Sequence, residues 1–136
     1  MSTSLQELQT FIDNWVDTPE QTKREFLRLK DYLASKSDTS LDFLPREGIS
    51  YSLRAVHANQ KRRPLFVLVD VIEDQPRWLS VCFYESMITD PEERGMFIPA
   101  GLLGQDAVCF DVMKYDDDDL RYLESRIDEA HSKARD

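Results

Sequence analysis

The chain has 136 residues, 41% of them apolar and 32% charged, and carries a net charge of −9. That size and balance describe one globular domain rather than a disordered or fibrous chain, and the acidity disfavours general electrostatic binding to nucleic acid or anionic lipid. The longest apolar run, Leu65 to Val69, is too short to cross a bilayer, so no membrane association is expected.

The chain opens with Ser4 and Glu7 at capping-box spacing, followed by Leu5, Leu8, Ile12 and Trp15 on one helical face, which predicts a helix over about 5–16. Asp17-Thr18-Pro19 interrupts it. Thr18 as cap and Pro19 as first helical residue start a second helix over about 19–34, with Phe26, Leu29 and Leu33 inward. Ser35 to Ser40 has the composition of a loop.

Ile49, Tyr51, Leu53 and Ala55 then alternate with Ser50, Ser52, Arg54 and Val56, the two-residue period of a half-buried strand over about 49–56. A second strand, over about 64–72, is apolar on both faces, and a third follows over about 77–84 after the Glu73–Pro76 turn. Connections this short allow only antiparallel pairing. The segment 85–106, broken by Pro91, Pro99 and several glycines, reads as a long loop with a short helical turn. A fourth strand over about 107–112 and a final helix over about 117–134 complete the chain, with Leu120, Leu123, Ile127 and Ala134 on the helix's inner face. The expected fold class is α+β: an N-terminal helix pair, an antiparallel meander of about four strands and a C-terminal helix, in one domain covering 1–136.

The chemistry-bearing residues are few. Cys82 and Cys109 lie inside apolar runs, without the spacing of a disulfide framework, a zinc site or a C-x-x-C redox pair. They read as buried free thiols or, if a nearby His57 or arginine lowered the pKa, as nucleophiles. With no basic or apolar leader pattern in the first residues, this cysteine usage points to a cytoplasmic address. His57 sits in a polar turn with no evident orienting partner for a general base, and His131 complements the end of the last helix. Neither has metal-ligand spacing, and no motif implies a cofactor. The run Asp116 to Asp119 fits a helix cap and first turn better than a cation loop.

The charge is unevenly spread. Residues 46–77 hold six basic and four acidic groups, whereas residues 78–136 hold six and fourteen. Within this cationic stretch, Arg54 shares a strand face with Ser50 and Ser52, so a guanidinium and hydroxyls can line one sheet surface together with Arg46 and Arg77. Arg54, Arg46, Ser52 and Arg77 are therefore the candidate ligand-binding residues, because arginine offers a planar fork of donors to carboxylate or phosphate. The expected function is a noncatalytic module that binds a small anionic ligand or an acidic protein partner. The alternatives are a cysteine-dependent hydrolase or transferase using Cys109 or Cys82, and a structural homodimer assembled through the sheet.

Overall fold

The computed structural model describes residues 3–135. Two helices, α1 (Thr3–Asn14) and α2 (Thr22–Ser35), precede the strands β1 (Thr39–Arg46), β2 (Ser50–His57), β3 (Val67–Ile72), β4 (Trp78–Tyr84), β5 (Met96–Leu102) and β6 (Gln105–Val112), and α3 (Asp117–Lys133) closes the chain. A single 3-10 turn, Glu85–Met87, follows β4. The six strands form one antiparallel sheet in the order β1-β2-β3-β4-β6-β5. The α+β class and the three helices agree with the sequence expectation, and the β2-β3-β4 meander is present.

Two strands were not expected. β1 begins at the end of the presumed loop and runs through residues 41–46, for which no element was expected, and β5 lies within the segment read as a loop. Both are edge strands containing a proline, Pro45 or Pro99. Proline cannot donate to a ladder and so breaks the sequence signal for a strand, yet an edge position tolerates it. β5 reaches the edge by forming a hairpin with β6, whose other side pairs with β4.

The helix boundaries also shift. α2 starts at Thr22 rather than Pro19, because Gln21 adopts a left-handed conformation (φ 57°) that closes the preceding turn onto the Thr18 carbonyl. At α3 the acidic run behaves as read: the Asp116 carboxylate accepts from the Asp118 and Asp119 amides at 2.9 and 3.2 Å, capping the helix.

The strand register places Phe43, Tyr51, Leu53, Val69, Val81 and Phe110 on one face of the sheet. All three helices pack on that face. Phe11 of α1 stacks on Phe43 and Tyr51, Phe26 of α2 meets Phe11 and Trp15, and His131 and Tyr122 of α3 meet His57 and Phe110. Phe26, Leu29, Leu33, Leu53, Val69, Val81, Leu123 and Ile127 are wholly inaccessible. Burying side chains of this kind contributes roughly 1.5–3 kcal/mol each, which makes this interface the source of the fold's stability. Among the described residues, the opposite sheet face carries no helix.

Candidate functional site on the open sheet face

Register determines what the uncovered face displays. One row across the sheet reads Asp42, Arg54, Leu68, Cys82, Cys109 and Met96, and the next reads Leu44, Ser52, Asp70, Ser80 and Asp111. Polar, charged and apolar groups thus alternate over a surface that is half-buried at most positions.

Three of the four candidate ligand-binding residues lie on this face. Arg46 donates through Nη2 to Ser50 Oγ at 2.9 Å, and the Ser52 hydroxyl is hydrogen-bonded to Asp70. Arg54 differs from both: its Nε is buried and has no hydrogen-bond partner. The fourth candidate, Arg77, turns to the helix side. Its Nε and Nη2 both donate to Glu73 Oε1, at 3.2 and 2.8 Å, and its guanidinium lies 4.9 Å from the Phe11 ring centroid and 5.1 Å from that of Tyr51. Arg77 therefore does not join Arg54 in one site.

The catalytic candidates are also separated. His57 faces the helices and is buried, and its Nδ1 accepts from the Asn59 amide at 3.0 Å. Burial and the facing His131 hold its pKa below the usual histidine value. Cys82 and Cys109 are directly opposite each other on β4 and β6, with Cα atoms 4.1 Å apart, and are joined as a disulfide. This corrects the reading of two unpaired cysteines. Their spacing of 27 residues showed no framework pattern, and only the strand register brings them together. As a disulfide, neither sulfur is available as a thiolate nucleophile, and cysteine usage no longer argues for a reducing compartment.

What the sequence did not single out is Tyr84. It ends β4 on the open face, is 1% exposed, and its hydroxyl has no hydrogen-bond partner. Burial raises its pKa, and the positive charges of Arg63 and Arg54 partly oppose that rise. The Arg63 guanidinium stacks 4.9 Å over the Tyr84 ring and is aimed by two hydrogen bonds, from Nε to Gln105 Oε1 and from Nη2 to Ser86 Oγ, both at 3.0 Å. Beside them opens a cleft of about 370 Å³, whose rim includes Glu85 and Asp106. The available sequence signal was an aromatic with a polar tip at a strand end, next to Glu85 and Ser86.

The arrangement brings two unpartnered buried groups, Arg54 Nε and the Tyr84 hydroxyl, into the field of one another and of Arg63. Arginine can only donate and tyrosine can donate, so an acceptor-only group satisfies both at once. Among the described residues no cluster of three or more His, Cys, Asp or Glu side chains could hold a metal ion, and no helix is long and apolar enough to cross a membrane.

No protein-family model, curated protein or solved structure matches this chain. The fold and the site define a two-layer α+β protein: three helices cover one side of a six-stranded antiparallel sheet, and the other side is left open.

Proposed function

We propose that this protein is a noncatalytic binding module whose open sheet face takes an anionic group, a carboxylate or a phosphate monoester, between Arg54, Tyr84 and Arg63. The observation that carries the reading is the pair of buried, unpartnered groups, Arg54 Nε and the Tyr84 hydroxyl. A buried donor left without a partner costs about 1–3 kcal/mol, and an oxygen anion seated between them recovers that cost. The Arg63 guanidinium supplies further positive charge at the same place.

Phenyl phosphate and benzoate, titrated calorimetrically, test the site. Saturable binding of one of them to the wild type is expected, weakened about tenfold or more in Arg54→Ala and less in Tyr84→Phe, in line with the loss of a charge-assisted hydrogen bond. Equal affinities in the wild type and Arg54→Ala would dismiss the assignment.

A second reading, a homodimer assembled through the sheet, is favoured by the apolar side chains that the edge hairpin exposes: Met96, Phe97 and Leu103 are each more than half exposed. Light scattering distinguishes it, since a monomer has a mass of 15.9 kDa and a dimer twice that.

A further inference from the structure

On the helix-covered side a second concavity of about 460 Å³ runs between α1 and the β1–β2 hairpin. Its volume lies within the range usual for small-molecule sites, roughly 300–1,000 Å³. The floor is aromatic. Phe11 lies 4.4 Å from Tyr51 and 5.4 Å from Phe43, centroid to centroid, and all three line the groove.

We propose that this groove binds a flat cation, a guanidinium or amidinium group, independently of the open sheet face. The molecule already demonstrates the chemistry on itself. At one end of the groove, Arg77 places its guanidinium 4.9, 5.1 and 5.6 Å from the ring centroids of Phe11, Tyr51 and Trp15. A cation over aromatic faces is attracted by the ring quadrupoles, the more so where water is partly excluded. Arg77 itself is neutralised by Glu73 at 2.8 Å, so it does not set the sign of the groove.

The two acids of the lining do. Glu7 and Glu47 border the groove, and neither forms an ion pair among the described residues. Glu47 Oε2 accepts from the Tyr51 hydroxyl at 3.5 Å, at the polar end of one floor ring. An anion entering here meets two uncompensated carboxylates, and the Arg77 edge that could receive it is already occupied by Glu73. A planar cation instead packs against Phe11, the one ring of the floor that is not fully buried, and donates to Glu47 and Glu7. Gln6, Thr10 and Asn14, spaced four residues apart along one side of α1, offer further uncharged acceptors.

Benzamidinium is the probe, with benzoate and benzyl alcohol as shape-matched anionic and neutral controls. Calorimetric titration should give saturable binding of benzamidinium at millimolar or lower concentration, with amide NMR shifts confined to α1 and the β1–β2 hairpin. Glu47→Gln should weaken it about threefold and Glu7→Gln with Glu47→Gln about tenfold, as expected for partly screened rim charges. These positions are exposed, so the variants keep the core intact. Thr10→Trp, which fills the groove from an exposed helix position, should abolish binding.

N-acetyl-arginine amide forms a second arm. Tighter binding of it than of benzamidinium assigns the groove to an arginine side chain of a protein partner, and the reverse order assigns it to a small aromatic cation. Benzoate binding as tightly as benzamidinium, an unchanged affinity in the double variant, or no saturation by either cation overturns the proposal. Because Arg54→Ala leaves this groove untouched, failure here is distinguishable from failure of the anion site.

Discussion

The two faces of the sheet are built from the same strands and differ in almost every physical respect. On β2, Tyr51, Leu53, Ala55 and His57 point to the helices and are buried, while Ser52, Arg54 and Val56 between them are half-buried. β3 repeats the pattern, with Val67, Val69 and Val71 at 0% exposure alternating with Leu68, Asp70 and Ile72. One face is a close-packed apolar layer, where removed atoms leave a cavity. The other holds hydrogen-bonded polar pairs and one unpartnered arginine, where a removed atom is replaced by water or by a ligand. Stability and recognition are thus divided between the faces.

The sharpest way to break that division is a pair of matched truncations. Leu53→Ala removes a fully buried side chain from the covered face and should destabilise the fold by about 2–5 kcal/mol, the range for large-to-small changes in a packed core. Leu68→Ala, one strand away on the open face, removes a half-buried side chain and should cost about 1 kcal/mol. Urea unfolding midpoints compare them directly. Equal costs would mean that something covers the open face in solution.

A pH titration tests polar burial on the helix side. Glu25 of α2 is fully buried against the start of α3, where its Oε1 accepts from the Asp116 amide at 3.1 Å. Burial, with the carboxylates of Asp119 and Asp116 beside it, pushes its pKa up to about 8, although the Asp116 amide favours the charged form. The Arg94 guanidinium approaches Asp119, Nη1 to Oδ1 at 3.9 Å. The folded protein therefore keeps a proton that the unfolded chain releases near its ordinary value of 4.5. Stability must fall as pH rises between these values and level off above about 8. Glu25→Gln mimics the protonated acid, so it should remove the decline and be more stable than the wild type at pH 8. Parallel curves for the two proteins from pH 5 to 8 would refute this account.

These contrasts also show which parts of the molecule were legible in the sequence. Alternation over residues 49–56 placed Arg54 and Ser52 on the face opposite Leu53 without any structure, because side-chain direction in a strand depends only on parity, although His57, read as part of a polar turn, ends the strand. The helices were readable from the spacing of Leu8, Ile12 and Trp15 and of Leu120, Leu123 and Ile127. β1 and β5 were not, since Pro45 and Pro99 mimic loop composition and only a sheet edge makes them acceptable. The site was legible in part. Arg54 could be named, but the Tyr84 site and the Cys82–Cys109 bond depend on which strands become neighbours, whereas the Arg77–Glu73 pair spans only the four-residue step across the β3–β4 turn. Pairing across dozens of residues is not encoded in local periodicity.

The smallest expected effect concerns His57, where the covered face meets its polar edge. The Asn59 amide donates to Nδ1, which places the neutral ring's proton on Nε2, an atom buried without a partner. Charging the ring would put a second proton on Nδ1, against that amide donor. Burial, His131 at a ring separation of 4.9 Å and Arg135 all oppose the charge, and only Asp38 favours it. The folded pKa therefore lies below the ordinary 6.5, and the unfolded chain binds the proton first as pH falls. Stability should decline below pH 6.5 by an amount smaller than the Leu53→Ala loss. His57→Leu should remove that decline whatever it does to stability at neutral pH, because the slope counts protons and not packing. An unchanged acid slope in His57→Leu would move the sensitivity to other titratable groups.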